Sequence, residues 1–384
     1  MWQQEFIWFF TLFQQEFRTR NPIAFEVLMV LALAHFFGFY NPKQLADFLG
    51  VPHQAFYTCL KTWSLYHLRA MLLRFMVKQA AEELTAVLAK SAATCSRAGL
   101  SLSIDNSVID RLGKLLRCTW SWYSGRCKQV VHGQDLLGLV LTLNQVALPL
   151  HLLFCAKQGR ANTDKPAQLL TMRAQLKAEF KRYNIDITQI PLTLDSWFVS
   201  EPLRQHLYDL GFTKIIIAGK GNYTFTIGHH KQKASAWKKT LTFHPPTWGI
   251  EVPSYRVWAH NPTFGSVVLL FFQKSTTRSY YLMNFSQHAM RGAEIWHIWK
   301  QHHQIECFWK ALKSAFHIRA MRLPDNGLYT ALLIKVLAYL LAIRLKAHKA
   351  FSKCSITQLM RHVSREADLR DLIDEHFHGN YLTT

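Results

Sequence analysis

The sequence lacks several features that would point to a secreted or thiol-rich protein. Its seven cysteines are odd in number and include no Cys-x-x-Cys pair, so neither a disulfide framework nor a structural zinc site is expected. The first residues show no basic segment followed by a small-residue cleavage site, so we expect no secretory signal. There is no internal repeat and no low-complexity segment. We therefore expect a folded protein with reduced thiols in the cytoplasm.

The sequence also has no long apolar run that is free of charge. Glu26 and His35 interrupt the apolar segment 23–40, and Lys335 and Arg344 interrupt or end the segment 330–345. A charge in the middle of a membrane span costs a few kcal/mol. We therefore interpret both segments as buried core helices and expect no membrane partner.

Acidic residues are scarce. The 384 residues include 24 Asp and Glu against 45 Lys and Arg, which gives a formal net charge of +21. Such an excess repels itself unless a polyanion neutralises it, so nucleic acid is the first expected partner and an anionic membrane surface the second. The 49% of hydrophobic residues is enough for a large core and two or three domains.

Residues 1–98 predict a helical N-terminal domain that binds DNA. Within it, the segment 42–65 (PKQLADFLGVPHQAFYTCLKTWSL) has the spacing of a helix-turn-helix, with Leu45 and Ala46 facing inward and Gly50 in the turn. The same pattern occurs in plain helical bundles. In a helix-turn-helix, the second helix would offer four side chains to the major groove. These are Gln54, Tyr57, Thr58 and Lys61.

From Leu100 onward, short apolar runs alternate with helical segments, which is typical of an α/β fold. We predict a mixed sheet flanked by helices, built from residues 99–218 and 279–347. Residues 219–278 are rich in aromatic, β-branched and basic residues and predict a β-rich insertion. Residues 348–384 predict a polar, helical C-terminal tail.

Two predicted strands end in similar sequences, SLSIDNS at 101–107 and PLTLDS at 191–196. A bare aspartate at the end of a buried strand costs several kcal/mol, so Asp105 and Asp195 need hydrogen bonds or a metal. Sites form at the carboxyl ends of strands in α/β sheets. Either aspartate alone is typical of a helix cap or a turn. Two of them in a chain poor in acids indicate a site.

A third carboxylate, Glu306, lies in the predicted helix 292–319. Helical spacing places five residues on one stripe of this helix, namely Trp299, His302, Glu306, Lys310 and Lys313. A local Glu–Lys pair on a half-buried face would also explain Glu306. Three carboxylates without partnered His or Cys ligands suit Mg²⁺ or Mn²⁺. In a basic protein, such a site predicts two-metal cleavage or transfer of phosphodiester bonds.

The order Asp105, Asp195, Glu306, with a β-rich segment before the glutamate helix, resembles the DDE transposases of bacterial insertion sequences. The group with a Tyr-x2-Arg-x3-Glu-x6-Lys (YREK) signature is the most similar; here that spacing reads Trp299-x2-His302-x3-Glu306-x6-Lys313. Trp299 and His302 depart from the family's Tyr and Arg, and the neighbouring His303 is an alternative to His302. The resemblance covers roughly residues 100–345.

The resemblance implies a ribonuclease-H-like core and two Mg²⁺ ions, replaceable by Mn²⁺, held by the three carboxylates. It implies cut-and-paste transposition at terminal inverted repeats. The implied partners are double-stranded DNA of the transposon ends and the target, and a second copy of the chain on that DNA. The implied location is the bacterial cytoplasm, at the nucleoid.

The resemblance also implies DNA contacts outside the carboxylates. Trp299, His302, Lys310 and Lys313 would contact phosphate, and an aromatic side chain of the insertion would hold a flipped base. Each tryptophan is also explained as core, and each lysine as a solvated surface charge. The tryptophan candidates are Trp237, Trp248 and Trp258, and the lysines that would line a DNA track are Lys220, Lys231, Lys233, Lys238 and Lys239.

Two other functions remain open. The chain could be a sequence-specific DNA-binding protein derived from a transposase, domesticated or catalytically decayed. It could also be a stand-alone metal-dependent nuclease, although the N-terminal helices and the long insertion would be unusual in one. Carboxylates at all three positions favour the active transposase.

Overall fold

A computed structural model describes residues 2–17, 22–62, 65–94, 100–111, 118–156, 164–247, 249–275, 278–286, 290–320, 327–348 and 350–376. The helices in these residues are α1 (Trp2–Phe17), α2 (Pro22–Ala34), α3 (Pro42–Leu49), α4 (His53–Thr62), α5 (Leu65–Thr94), α6 (Asp164–Lys181), α7 (Glu201–Asp209), α8 (Ala234–Thr240), α9 (Gly292–Ser314), α10 (Gly327–Ala347), α11 (Ile356–Glu366) and α12 (Leu369–His376). The strands are β1 (Leu100–Asp110), β2 (Trp120–Ser124), β3 (Gln129–Leu143), β4 (Val146–Phe154), β5 (Leu192–Leu194), β6 (Ile215–Ala218), β7 (Thr224–Ile227), β8 (His230–Lys233), β9 (Ser254–Asn261), β10 (Gly265–Ser275) and β11 (Arg278–Asn284).

The chain divides into two compact units. The helical unit comprises Met1–Lys78, Val108–Leu136 and Cys307–Thr384, and the sheet unit comprises Gln79–Ser107 and Leu137–Glu306. The predicted division into four regions stays a prediction. The units differ from it because the C-terminal helices α10, α11 and α12 share a unit with the N-terminal helices.

In the core of the helical unit, aromatic side chains of α1 pack against α5. Phe9 and Phe13 both pack edge-on against Phe75, with ring centroids 5.3 and 5.1 Å apart. The segment predicted as a helix-turn-helix forms the two helices α3 and α4. Its turn contains Gly50 at φ 74°, a left-handed conformation that glycine adopts without strain. Asn41 caps α3 by accepting a hydrogen bond from the backbone N–H of Gln44 at 2.9 Å.

Both apolar segments that raised the membrane question are largely buried. By length and composition α10 could cross a membrane, but 78% of its most apolar window is buried inside the protein. Phe25–Phe37 and Pro42–Leu49 pass the same test only as a pair bent by 91°. Burial confirms the interpretation of 330–345 as a core helix, and Lys335 within it is only 1% exposed.

The sheet unit is built on a mixed sheet. Hydrogen-bonded neighbours follow the order β3-β1-β5-β6-β11-β10-β9-β7-β8, and β4 pairs with β3. β1, β5 and β6 are parallel, and the strands from β6 to β8 in this order are joined by antiparallel pairing. The predicted α/β fold with a mixed sheet and flanking helices is therefore present. Within residues 219–278, the described strands β7 to β10 extend this same sheet through β11.

Buried aliphatic side chains explain why β1 and β5 lie inside this sheet. Leu102 and Ile104 of β1 and Leu192 and Leu194 of β5 are at most 1% exposed. Ser101, Ser103 and Thr193 alternate with these aliphatic residues and are 0% exposed, so both faces of the two runs are covered. Each run stops at an aspartate, and this fixes where the acids lie in the sheet.

Candidate functional site

The two predicted site aspartates occupy equivalent positions on neighbouring strands. β1 and β5 are parallel, with Leu102 opposite Leu192 and Ile104 opposite Leu194. The same register continued by one residue brings Asp105 beside Asp195. Adjacent strands lie about 4.8 Å apart. The structure thus brings together two carboxylates that are 90 positions apart in the sequence.

Each aspartate makes a hydrogen bond to the following backbone. The Asp105 carboxylate accepts the N–H of Asn106 at 2.7 Å, and the Asp195 carboxylate accepts the N–H of Ser196 at 2.6 Å. Asp195 thereby caps the 3-10 turn Ser196–Phe198. Both side chains remain half-buried. These two hydrogen bonds stabilise the local backbone and leave both carboxylates partly accessible at the carboxyl ends of the strands.

A layer of polar side chains lies two residues before the aspartates, deeper in the sheet. Thr193 Oγ1 is 2.9 Å from Ser103 Oγ and 2.9 Å from Nδ1 of His302. Ser103 and Thr193 lie two residues before the aspartates, and alternate residues of a strand share a face. The two carboxylates therefore follow, on the same face of the sheet, the residues that contact α9. Three hydrogen-bonded side chains connect α9 to both strands at this level.

His302 was predicted to contact DNA phosphate, but its side chain is enclosed in the protein. The side chain is 6% exposed and bonded to Thr193. Burial, with a smaller contribution from His303, lowers its pKa to about 4. A neutral, enclosed imidazole does not bind phosphate at neutral pH. Trp299 stacks on its ring with centroids 4.5 Å apart and packs against a buried apolar cluster, so both residues support the core.

Glu306 lies one helical turn beyond His302 and is exposed. Its carboxylate is 2.9 Å from Nδ1 of His303, which is exposed as well. Among the residues that the structure describes, no group of three or more His, Cys, Asp or Glu side chains is placed to hold a metal ion. The structure thus pairs the two aspartates, but it does not gather Glu306 with them into a ready metal site.

The two lysines that follow Glu306 on α9 belong to the helical unit. Lys310 is exposed and Lys313 is half-buried. Neither residue is enclosed in the core, so the prediction of phosphate contacts remains open for both. In the same unit, Gln54, Thr58 and Lys61 on α4 are exposed. The remaining predicted groove residue, Tyr57, is half-buried, and burial raises the pKa of its hydroxyl.

The three tryptophans proposed to hold a flipped base differ in their surroundings. Trp237 is 8% exposed, and its Nε1 donates to the carbonyl of Phe225 at 3.1 Å, so it packs as a core residue; its contact with a flipped base stays a prediction. Trp258 is 57% exposed on β9 and remains a candidate. Trp248 lies outside the described residues.

Lys238, which was predicted to contact DNA, is half-buried. Its Nζ lies 5.3 Å from the ring centroid of Tyr281, and burial lowers its pKa.

The sequence analysis did not identify one exposed tryptophan near the strand ends that carry the two aspartates. Trp197 is 49% exposed and follows Asp195 by two residues. Nζ of Lys220 lies 5.6 Å from its ring centroid. Lys220 was predicted in a DNA track, but Trp197 was not considered. The signal was available, because a tryptophan directly after a polar strand end is exposed more readily than one inside an apolar run.

Comparison with known proteins gives little beyond this geometry. No family model matches the sequence, and no curated protein matches it. Seven chains of solved structures match, including a piggyBac transposase from a cryo-EM structure of its synaptic complex with hairpin DNA. That match covers 100% of this chain and 76% of the other, with 13% sequence identity and a TM-score of 0.44. The chain is thus distantly similar in structure to a transposase, and a likeness this weak carries no argument about its function.

Proposed function

We propose that this protein is a DNA transposase of the DDE type that cleaves and transfers phosphodiester bonds at the ends of a mobile element. The observation that carries the proposal is the register of β1 and β5, which pairs Asp105 with Asp195 at the carboxyl ends of two parallel strands. The net charge of +21 supports a polyanionic substrate.

The chemistry of the paired aspartates fits a hard divalent cation. Both offer carboxylate oxygens, the ligands that Mg²⁺ and Mn²⁺ prefer. When bound, such ions stabilise charge on the phosphate and lower the pKa of an attacking water or 3′-hydroxyl. Glu306 is the proposed third ligand, and it would exchange its bond to His303 for the cation.

The chain's own residues have separate tasks in this proposal. The Ser103–Thr193–His302 layer orients the strand ends that carry the aspartates. Lys310 and Lys313 neutralise phosphate charge, and the exposed residues of α4 read the major groove. The protein would act as a homodimer on double-stranded DNA, at terminal inverted repeats, in the bacterial cytoplasm.

The decisive experiment measures metal binding and DNA cleavage in matched variants. Asp105→Asn and Asp195→Asn should each lower Mg²⁺-dependent cleavage of terminal-repeat DNA at least about 1000-fold, since each removes a charged ligand. Binding of Mn²⁺, followed by electron paramagnetic resonance, should be lost in parallel. The control is Asp209→Asn on α7, an acid of the same unit that accepts a hydrogen bond from Gln205. Cleavage or Mn²⁺ binding that survives in either variant would remove the assignment.

One observation favours a second function, a sequence-specific DNA-binding protein that has lost catalysis. Glu306 is bonded to His303 and is not gathered with the aspartates. Under this alternative, the wild-type protein binds terminal-repeat DNA but does not cut it with Mg²⁺ or Mn²⁺, and Glu306→Gln changes nothing. Under the proposed function, Glu306→Gln abolishes cleavage and leaves DNA binding within about twofold.

A further inference from the structure

Trp197 is held in place at the strand end that carries Asp195. It is the middle residue of the 3-10 turn Ser196–Phe198, which Asp195 caps. The next residue, Phe198, is buried at 4% exposure and anchors the turn in the core. The indole itself stays 49% exposed. A large flat side chain is thus presented to solvent by a turn that is fixed on both sides.

Lys220 is brought to the same place by the neighbouring strand. β5 and β6 are parallel, with Leu194 opposite Ile217, so the register continues with Asp195 opposite Ala218. Trp197 and Lys220 each lie two residues beyond this pair. Nζ of Lys220 is 5.6 Å from the indole centroid, within the range of cation–π attraction.

The backbone around Lys220 is fixed by Tyr281. The Tyr281 hydroxyl donates to the Lys220 carbonyl at 2.6 Å. A Cβ at Gly219 would lie 2.0 Å from Cζ of Tyr281, so only glycine lets the ring approach this closely. The carbonyl of Lys220 also accepts the N–H of Tyr223 at 3.2 Å. These contacts fix the backbone position from which the side chain of Lys220 extends toward the indole.

We propose that Trp197 and Lys220 form a binding site for an unpaired nucleotide next to the paired aspartates. The base stacks on the exposed indole, and the ammonium of Lys220 contacts the phosphate of the same nucleotide. Base–aromatic stacking tolerates any base, while a neighbouring cation follows the backbone. This inference rests on the proposed function, because an unpaired nucleotide beside the carboxylates is one that the DNA ends must expose.

The geometry separates this site from other exposed tryptophans. Trp258 is more exposed, at 57%, but it lies within β9 and not at the strand ends that carry the aspartates. A single exposed aromatic residue needs no explanation of its own. The inference depends on the combination of a solvent-facing indole, a lysine beside it and two acids at adjacent strand ends. Trp258 is therefore the competing position for the same base. The matched control is Trp8 on α1, which is 37% exposed and has the guanidinium of Arg344 3.3 Å from its ring centroid.

The test measures binding of a fluorescently labelled 12-nucleotide single strand to the full chain in EDTA, by anisotropy. Trp197→Ala should weaken binding about 5- to 100-fold, and Trp197→Phe should restore most of the affinity. Trp8→Ala should stay within about twofold of wild type. Lys220→Ala should reduce the slope of log affinity against log salt by about 0.7, the share of one phosphate. A 12-base-pair duplex should bind Trp197→Ala as tightly as wild type.

Three results would overturn the site. These are single-strand affinity unchanged in Trp197→Ala, an equal loss in Trp8→Ala, and an equal loss for the duplex. Quenching of 2-aminopurine in a single strand bound to the wild-type protein checks stacking without any substitution, and unquenched fluorescence also overturns it. Asp195→Asn should keep single-strand binding while losing cleavage. If cleavage persists in Asp195→Asn and Trp197→Ala still loses binding, the proposed function fails and the nucleotide site stands.

Discussion

Ionisable side chains have opposite environments in two regions of the molecule. One region is the carboxyl ends of β1 and β5, which carry Asp105 and Asp195, and the other is the buried cluster around Lys335. Lys335 is 1% exposed, and the protein supplies its acceptors. Its Nζ is 2.8 Å from Nε2 of His35 and donates to the carbonyls of Phe316 at 2.8 Å and Tyr40 at 3.4 Å. The ammonium can thus direct all three hydrogens to protein acceptors.

The aspartates show the other arrangement, in which two like charges are half-buried side by side. Carboxylates on neighbouring positions repel each other when both are ionised, and a cation relieves this repulsion. A charge that the fold supplies with acceptors belongs to the scaffold, as Lys335 does. Like charges that the fold brings together at accessible strand ends are instead suited to bind a cation from solution.

The largest effect that sharpens this comparison is the pH dependence of stability. Burial, with a smaller contribution from Arg111, lowers the pKa of Lys335 to about 7 in the folded protein. The unfolded chain keeps a lysine pKa of about 10.4. Between these values only the unfolded chain holds the proton, so the free energy of unfolding rises with pH, by at most about 1.4 kcal/mol per unit. Urea unfolding at pH 7, 8 and 9 measures this slope.

Lys335→Met should flatten that slope, because methionine does not titrate. The stability difference between the variant and the wild type should therefore change by about 2 to 3 kcal/mol from pH 7 to pH 9. Asp195→Asn is the control and should retain the wild-type slope over this range. If Lys335→Met keeps the slope, another group titrates and Lys335 is not the buried ionisable residue of this comparison.

An intermediate effect is expected where scaffold and site meet. Thr193→Val removes the hydroxyl that contacts Ser103, His302 and the carbonyl of Leu102, so three buried polar atoms lose a partner. The expected loss of stability is about 1 to 3 kcal/mol. Thr226→Val, at a half-buried position of β7, is the control for the β-branched replacement and should change stability by at most about 0.5 kcal/mol. Thermal unfolding at pH 7 compares the two variants, and equal losses would contradict a role of the polar layer.

The smallest effect tests repulsion at the aspartate pair. Asp195→Asn should raise the free energy of unfolding by about 0.5 to 1 kcal/mol at low ionic strength, because it removes one of two neighbouring charges. Asparagine caps a helical turn as well as aspartate does, so the turn at Ser196 should survive. The gain should shrink in 1 M salt, where charges are screened within about 3 Å. A loss of stability in low salt would show that Asp195 is bound into the scaffold.

Several features of the fold were predictable because they depend on local patterns. The apolar runs that end at Asp105 and Asp195 predicted two buried strands, and both segments are buried strands of the sheet. The apolar helix around Lys335 was predicted to be core, and its burial confirms this. In both cases, a run of apolar residues favours burial, so the run by itself predicts a core position.

Other features were not predictable because burial depends on what covers a given face. Helical spacing places His302 and Glu306 on one stripe of α9, yet His302 is enclosed and Glu306 is exposed one turn later. Likewise, nothing in the segment ASAWKKT predicts that Trp237 is buried, yet only 8% of this residue is exposed. Spacing defines a face, while its exposure depends on residues far away in the chain.

The sequence by itself determined the charge of the protein, the ends of its two central strands and the acids placed there. Only the tertiary structure decided that β1 and β5 are adjacent and in a register that pairs Asp105 with Asp195. It also decided that Lys220 lies beside Trp197 and that His302 is a scaffold residue. The reason is physical, because side-chain periodicity is a property of neighbouring residues, whereas strand pairing and burial arise from contacts between segments distant in sequence.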